Sequence, residues 1–185
     1  MMEREIKNLI IRAKQGDKEA FGRVYEELLA PIYRYIYFRV KDKDMADDIT
    51  QEVFFKIYRS LDGFKVTDDS PLKFFYTVAR NLLIDNYRKE IIQPIDPALV
   101  DEIYVNEAEN NPEENFEQKD RAEALKDALS KITESESDIL TLKFLQDFSN
   151  AEISQITGKS EEAVRQLQSR GLKSLREILK KNDFI

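Results

Sequence analysis

The spacing of hydrophobic residues predicts an all-α protein. Apolar residues recur every three or four positions along most of the 185-residue chain, which is the period of an amphipathic helix. The strict apolar–polar alternation of a half-buried strand is almost absent. The periodic segments predict helices at 4–15, 17–40, 44–61 and 71–89, and then at 116–131, 135–146, 150–157 and 161–181.

The segment 91–118 interrupts the helical pattern and separates the helices into two groups. It holds three of the five prolines and eight acidic residues, but no lysine or arginine. Residues 1–90 carry 17 basic and 16 acidic residues and residues 119–185 carry 12 of each, so the net charge of −7 is concentrated in this segment. Like charges favour an extended chain. We expect two small helical domains, 1–90 and 119–185, joined by a flexible acidic linker with a short helical turn near 99–104. The alternative is that the linker is a disordered, solvating spacer with no other role.

The residue types that are missing exclude several kinds of chemistry. The chain has no cysteine and no histidine, which excludes disulfides, zinc sites and histidine-assisted nucleophiles. The five glycines form neither a Rossmann-type nor a Walker-type phosphate-binding loop. No run of about 18 apolar residues is present, so we expect no membrane insertion. Only carboxylates are left to carry catalysis, and the absence of cysteine fits a cytoplasmic protein. We expect no cofactor, no metal site and no catalytic residue.

Start and stop signals in the second domain predict a helix-turn-helix. Two sequences of the form Ser/Thr-x-x-Glu, at 133–136 and 149–152, have the spacing of capping boxes, in which two side chains satisfy backbone N–H groups reciprocally. Gly158 is suited to end a short helix in the left-handed conformation, and Ser160 is suited to cap the next helix. A short helix, a turn with glycine and a second helix form the pattern of DNA-binding helix-turn-helix proteins.

The second helix of this motif, 161–181, has a basic face. Its stretch 164–181 holds six basic residues and one acidic residue, and the bases lie opposite the apolar side. Arginine and glutamine side chains reach base edges in the major groove, whereas lysine and arginine contact phosphates. The candidate DNA-binding residues are Arg165, Gln166, Ser169, Arg170 and Lys173. A solvated amphipathic helix without a ligand is the alternative.

The helix predicted at 44–61 has an aromatic residue among its acids. Its apolar stripe is Ala46, Ile49, Val53, Ile57 and Leu61. Its opposite face has Phe55 among Asp47, Asp48, Gln51, Glu52 and Arg59. An exposed phenylalanine lacks the stabilisation of about 1.5–3 kcal/mol that burial of its side chain would give. Protein interfaces favour an aromatic anchor with a polar rim. We expect this face to bind a protein. Coverage of Phe55 by another helix, and a metal or acid–base site at Asp48 and Glu52, are the alternatives.

The helix predicted at 71–89 combines aromatic and basic residues. Its apolar side is Phe75, Val78, Ala79, Leu82 and Leu83, and Asn86 falls there without an explanation. The opposite face is polar and lies beside the loop 64–71, which suits single-stranded nucleic acid because polar side chains read bases while cations bind phosphates. The candidate residues are Lys73, Thr77, Arg80, Asn81, Arg88 and Lys89. A solvated face is the alternative.

Four segments together resemble the extracytoplasmic-function (ECF) group of bacterial sigma factors, in the sigma-70 family. LIIRAKQGDKEAFGRVYEEL at 9–28 resembles the opening region of the family, and DDITQEVFFKIYRSLDGF at 47–64 resembles its polymerase-clamp-binding segment. ARNLLIDNYRK at 79–89 resembles the helix that reads the promoter −10 element, and 153–176 resembles the domain that reads the −35 element. The matches follow the family's order and cover nearly the whole chain apart from the linker.

The resemblance implies a dissociable subunit of bacterial RNA polymerase that recognises promoters of a specialised regulon, such as a stress response, and that is not an enzyme. The candidate residues of 44–61 would bind core polymerase, those of 71–89 would bind −10 DNA with Asn81 at a flipped base, and those of 161–181 would bind −35 DNA. The linker would thread through the polymerase, and an anti-sigma factor is a further expected partner. A stand-alone helix-turn-helix regulator and a carboxylate–metal nuclease are the alternatives.

Three features of the sequence depart from the family pattern. Phe74 or Phe75 stands where the −10 helix usually has tryptophan, Glu161 and Glu162 open the recognition helix where small residues are more common, and Gly171 replaces an alanine. The two glutamates suit the positive end of the helix dipole but would repel phosphate. The glycine is expected to cost the helix about 0.5–1 kcal/mol.

Overall fold

The helices predicted from the hydrophobic period are present, although several end at other residues. The computed structural model describes residues 2–63, 70–92 and 112–181. In chain order the helices are α1 (Met2–Lys14), α2 (Lys18–Tyr37), α3 (Lys43–Ser60), α4 (Pro71–Ile92), α5 (Pro112–Ser130), α6 (Glu134–Leu140), α7 (Asn150–Thr157) and α8 (Glu161–Lys181). A 3-10 turn follows α3 at Leu61–Gly63, and a π-helical turn follows α6 at Thr141–Leu145. The regular structure of these ranges is entirely helical, which confirms the all-α prediction.

Parts of the sequence prediction lie outside the described residues. These are most of the loop 64–71 and the short helical turn near 99–104. α5 begins at Pro112, four residues before the predicted start. Proline is favourable there because an N–H at the first helical position would have no acceptor within the helix. The linker boundaries of 91–118, and the domain boundaries on either side, stay a prediction.

The first compact unit of the fold is built on α1–α4. α2 packs against α1 and α3, and α3 packs against α4. Its most deeply buried large side chains are Ile6, Ile10, Leu28, Ile32, Tyr35, Ile36, Ile57, Phe75 and Leu83. The apolar stripes predicted for α3 and α4 are buried, except that Val78 is half-buried. Because these stripes face inward, the opposite sides of α3 and α4 form part of the surface of this unit.

Asp17 fixes the tight connection between α1 and α2. Its side chain caps α2 by accepting from the Ala20 N–H at 3.1 Å. Arg12 of α1 donates to Asp17 Oδ2 through Nε at 3.0 Å and through Nη2 at 2.6 Å. The Ala20 N–H and the Arg12 guanidinium hold the pKa of Asp17 below its usual value of 3.8, because both stabilise the carboxylate. One charged side chain therefore joins the two helices.

The second compact unit is built on most of α5–α8, and both capping boxes predicted there are present. The Thr133 hydroxyl accepts from the Glu136 N–H at 3.4 Å, and the Glu136 carboxylate accepts from the Thr133 N–H at 3.2 Å. At the start of α7, the Ser149 hydroxyl accepts from the Glu152 N–H at 3.3 Å, and the Glu152 carboxylate accepts from the Ser149 N–H at 2.8 Å. These bonds set where α6 and α7 begin.

The turn between α7 and α8 has the predicted chemistry. Gly158 follows α7 with φ of 69°, and the Ser160 hydroxyl caps α8 by accepting from the Ala163 N–H at 3.2 Å. The Ser154 hydroxyl donates to the Lys159 carbonyl oxygen at 2.6 Å and ties α7 to the turn. A short helix, a glycine turn and a longer helix therefore confirm the helix-turn-helix.

The helix predicted at 135–146 is present, but it changes from an α-helix to a π-helix after residue 140. α6 ends at Leu140, the backbone widens into the π-helical turn, and Asp147 then adopts φ of 62°. The Thr141 hydroxyl donates to the Ser137 carbonyl oxygen at 2.8 Å, a bond that bends helices because it competes with the main-chain ladder. Aspartate is one of the few residues with a side chain that are enriched in the left-handed conformation. The hydrophobic period gives no sign of either feature.

α8 approaches α6 closely at Gly171. A Cβ at this position would lie 3.0 Å from Leu140 Cδ1 and 3.1 Å from Glu136 Cβ, which is tighter than side chains ordinarily pack. Gly171 is therefore a packing residue as well as a cost to helix stability. Only the cost is predictable from the sequence, because the partner residues on α6 are distant along the chain.

Candidate functional site

The basic face predicted for α8 is exposed along its length. The exposed residues of this face are Arg165, Gln166, Ser169, Arg170, Lys173 and Arg176. On the opposite side, Val164 and Gly171 are buried. The face presents cations and polar side chains on one helical surface, an arrangement that suits the major groove of DNA.

A side-chain hydrogen bond links the two helices of the motif. Gln168 Nε2 on α8 donates to Asn150 Oδ1 at the start of α7 at 2.9 Å, and both residues are half-buried. Ile153, Ile156 and Val164 are buried on these two helices. The hydrogen bond resists rotation of α8 about its own axis, which would turn the basic face away from its present direction.

Arg165, at the N-terminal end of this face, is engaged within its own helix. Its Nη1 lies 3.6 Å from Glu161 Oε2, one turn earlier, and the two side chains are 58% and 50% exposed. The acidic first turn noted in the sequence therefore contacts a candidate base-reading residue directly.

A stripe of four residues runs along the exposed side of α3 at the spacing of one helix face: Asp48, Glu52, Phe55 and Arg59. Phe55 is 58% exposed, so the alternative that a neighbouring helix covers it is wrong. The Arg59 guanidinium carbon lies 5.5 Å from the centre of the Phe55 ring, within the range of a cation–π contact. Lys56 pairs with Glu52 at 3.1 Å. An exposed ring framed by charges suits a protein partner.

A second stripe, of Asp47, Gln51 and Tyr58, lies on the side of α3 toward α2. Gln51 is exposed and Asp47 is half-buried. Burial, and then the neighbouring Asp47 carboxylate, raise the pKa of Tyr33 on α2 to about 12, because both disfavour the phenolate. Tyr58 is exposed, and its ring centre lies 4.9 Å from that of Phe21 on α2. The candidate protein-binding surface of α3 therefore continues toward α2.

Two aromatic residues on this surface were not identified from the sequence. They are Tyr58 and Tyr25; the latter lies on α2 and packs against buried Phe54 with ring centres 4.7 Å apart. Tyr58 could have been found, because it follows Gln51 by seven residues and so shares its face. Tyr25 could not, because its position beside α3 depends on how the two helices pack.

The geometry gives no support to the metal-site alternative. Across residues 2–63, 70–92 and 112–181, no group of three or more acidic side chains is placed to hold a metal ion. Glu52 is instead paired with Lys56. Within the same ranges, no helix is both long enough and apolar enough to cross a membrane.

The polar face of α4 is partly exposed. Among its candidate residues, Asn81 and Arg88 are exposed. The half-buried ones are Lys73, Thr77 and Arg80. The Thr77 hydroxyl donates to the Lys73 carbonyl oxygen at 2.7 Å, so its proton is already used. Lys89 lies in α4, but its side chain is outside the described residues. Asn81 is the exposed amide of this face, with donor and acceptor atoms both available to a base edge.

Asn86, which the sequence left unexplained, has a packing role. Its Nδ2 donates to Met45 Sδ on α3 at 3.1 Å. The hydroxyl of the next residue, Tyr87, donates to the Arg39 carbonyl oxygen. These two contacts anchor the second half of α4, and they explain how a polar residue occupies the inward side of this helix.

Comparison with known proteins connects these faces to one family. The family model "Sigma-70 region 2" matches residues 24–90, and the model "Sigma-70, region 4" matches residues 128–177. The ECF RNA polymerase sigma factor SigM of Bacillus subtilis is 30% identical over 140 residues, which are 75% of this chain and 82% of SigM. The chain belongs to the ECF sigma factors of the sigma-70 family.

A second relative agrees with this assignment, and a solved structure shares the fold. The ECF RNA polymerase sigma factor BldN of Streptomyces coelicolor is 33% identical over 171 residues; these are 92% of this sigma factor but 64% of BldN, which is longer. The structure of CnrH in complex with the cytosolic domain of CnrY matches with a TM-score of 0.75 at 17% identity, over 97% of this chain and 99% of that chain. The structural match shows a shared fold.

The exposed faces of this sigma factor fall inside the two matched regions. The stripes of α3 and the polar face of α4 lie within the region 2 match, and so do Tyr25 and Tyr58. The basic face of α8 lies within the region 4 match. α1 precedes the first match and contributes buried residues to the core of the same unit.

Proposed function

We propose that this sigma factor is a promoter-recognition subunit of bacterial RNA polymerase that binds core polymerase and promoter DNA through separate faces of one chain. The observation that carries the proposal is the presence together of an exposed, charge-framed Phe55 on α3 and an exposed basic face on α8. A stand-alone helix-turn-helix regulator requires only the basic face. The chain acts as a binding protein at a specialised set of promoters and has no catalytic activity of its own.

Core polymerase binds the two stripes of α3. Phe55 is the anchor, because aromatic side chains at the centre of an interface contribute most of the binding free energy. Asp48, Gln51 and Glu52 form the polar rim and orient the docking. Asp47, which is half-buried beside Tyr33, serves at the edge of this surface.

The −10 element binds α4 as an opened strand. The Asn81 amide hydrogen-bonds an unstacked base, and Arg80, Arg88 and Lys73 attract the neighbouring phosphates. Lys89 and Thr77 complete the set proposed for this face. Aromatic stacking is not assigned to Phe75, because its side chain is fully buried.

The −35 element binds α8 as a duplex. Arg165, Gln166 and Arg170 face the base edges, and Ser169 and Lys173 contact the backbone or neighbouring bases. The hydrogen bond between Gln168 and Asn150 holds this face at a fixed orientation to α7, so that α7 crosses the DNA backbone while α8 enters the groove.

An anti-sigma factor is a further proposed partner, in the cytoplasm where polymerase is found. The sigma factor RpoE of Bartonella quintana, which shares the fold, has been solved in complex with the anti-sigma factor NepR. A protein that covered the Phe55 surface would prevent polymerase from binding there.

The test is transcription with purified components. The full chain is mixed with core polymerase, and transcripts are mapped on a pool of promoter-containing genomic fragments. Co-elution of chain and polymerase with new, chain-dependent start sites supports the proposal. Duplex binding without co-elution would indicate the stand-alone regulator instead.

A further inference from the structure

The acidic first turn of α8 touches the residue placed to read DNA. Glu161 Oε2 lies 3.6 Å from Arg165 Nη1, and both side chains remain half exposed. This separation exceeds the 2.7–3.2 Å of a well-formed N–H···O hydrogen bond. The pair is therefore a loose surface contact that Arg165 can leave at small cost, since exposed ion pairs are weak.

On DNA, Arg165 can bind either a phosphate or a base edge, and these two ligands affect the Glu161–Arg165 pair differently. A phosphate attracts Arg165 but repels the Glu161 carboxylate that accompanies it. In a G·C base pair, the O6 and N7 atoms of guanine accept hydrogen bonds from arginine. The N4 amino group of cytosine donates a hydrogen bond, which a glutamate carboxylate can accept. The N-terminal residues of a recognition helix are the ones that reach base edges, so Glu161 stands where it would meet such a group.

We infer that Glu161 is a specificity-determining residue of the −35 interface, which lowers the attraction of Arg165 to phosphate and preserves its attraction to a G·C pair. The inference rests on the proposed function of α8. Its effect is to weaken binding to unrelated DNA more than binding to the promoter.

Glu162 provides a matched control. It has the same charge, lies in the same first turn and is also exposed, but the ion pair to Arg165 is made by Glu161. Substituting either glutamate by glutamine changes the net charge of the helix by the same amount. A difference between Glu161→Gln and Glu162→Gln therefore reports the pair rather than the general electrostatics.

The experiment measures holoenzyme binding to two DNA duplexes. One is a promoter selected by the wild-type holoenzyme from a randomised pool, and the other is the same duplex with its upstream element scrambled. Glu161→Gln is expected to tighten binding to the scrambled duplex by about two- to fivefold, the range of one exposed ion pair, and to steepen its salt dependence by about one unit of slope. Binding to the selected promoter stays within about twofold, so discrimination falls.

Arg165→Ala decides between the possible failures. In its background, the effect of Glu161→Gln on the scrambled duplex is expected to fall to that of Glu162→Gln, because only the general repulsion between carboxylate and phosphate remains. Equal effects of the two glutamates, additive with Arg165→Ala, would overturn the inference and leave the proposed function intact. If Arg165→Ala alone leaves discrimination unchanged, the assignment of Arg165 as a −35 reader fails, and the inference fails with it.

Discussion

At the scale of single residues, Gly171 and Gly22 make a matched pair. Both lie inside helices, but a Cβ at Gly22 would meet no heavy atom within 4 Å, whereas one at Gly171 would press on Leu140 and Glu136. Gly22→Ala is expected to raise stability by about 0.5–1 kcal/mol through helix propensity. Gly171→Ala is expected to give no gain or a loss, because α6 must shift to admit the methyl group. Thermal unfolding measures both, and an equal gain from the two variants would contradict the packing role.

Phe55 and Phe54 are neighbours with opposite roles. The double substitution Phe55→Ala and Gln51→Ala is expected to weaken core polymerase binding by about 2 kcal/mol or more, as at an interface hot spot. The melting temperature should stay near the wild-type value, because Phe55 is exposed. Affinity measurements by titration with core polymerase, together with thermal melts, check this prediction.

Phe54→Ala is the control for that experiment. Phe54 is buried against Tyr25 and Phe75, so its truncation is expected to cost about 3–5 kcal/mol of stability. Polymerase affinity unchanged in the Phe55 and Gln51 double variant would remove α3 from the proposed interface. A large loss of melting temperature in that variant would instead assign Phe55 to the core.

At the scale of the helix, the basic face of α8 predicts a division between base readers and phosphate contacts. Arg165→Ala and Arg170→Ala are each expected to cost about 1–3 kcal/mol of discrimination at one position of the −35 element, if each binds a guanine through two hydrogen bonds. Binding of holoenzyme to a set of single-base promoter variants measures this. A uniform loss on every sequence, with a shallower salt dependence, would identify the arginine as a phosphate contact.

The connection between α1 and α2 predicts a dependence of stability on pH. The pKa of Asp17 is lowered in the folded protein, so its contribution to stability is present above the ordinary value of 3.8 and disappears as the pH falls through the lower folded value. Asp17→Asn is expected to lower the melting temperature at pH 7 and to make little difference at the acid limit. The exposed residue Asp85, changed to asparagine, is the control; a constant difference at all pH values for Asp17→Asn would contradict the role of its charge.

The elements that the sequence predicted well are those fixed by short-range chemistry. The hydrophobic period gave the inward stripes of α3 and α4, and the capping residues gave the starts of α6 and α7. The end of α6 was not predictable, because the Thr141 back-bond and the left-handed Asp147 leave no periodic signal. The exposed faces followed from the same period, whereas their extension to Tyr25 depends on packing between helices.

At the scale of the whole chain, the distribution of charge predicts how the free protein meets DNA. Segment 91–118 carries eight acidic residues and no basic ones, between two nearly neutral parts. We expect this segment to repel DNA at long range and to lower the affinity of the free chain for promoter duplex. Replacing its eight acids by asparagine or glutamine is expected to tighten binding at low salt, and the difference should shrink as screening shortens to about 8 Å at physiological ionic strength.

The readout is a titration of duplex carrying the −35 element with wild-type and neutralised full-length chains. Eight surface acids of α2, α3 and other described helices, chosen away from the candidate faces, provide a control with the same change in net charge. Equal gains for both variants would show that only total charge matters. No gain for the neutralised linker at low salt would leave it as a solvating spacer.

The close approach at Gly171 also limits how this sequence can diverge. Leu140 supplies two of the three atoms nearest to a Cβ at position 171, so a smaller side chain at 140 would open the space that alanine needs. We expect the two positions to be epistatic in related chains: glycine at 171 accompanies a large residue at 140, and alanine accompanies a smaller one. A smaller residue at 140 alone is expected to lower stability by leaving a cavity, and alanine at 171 alone is expected to give no gain or a loss. The two together are expected to recover part of the loss, while the Glu136 Cβ contact at 3.1 Å remains.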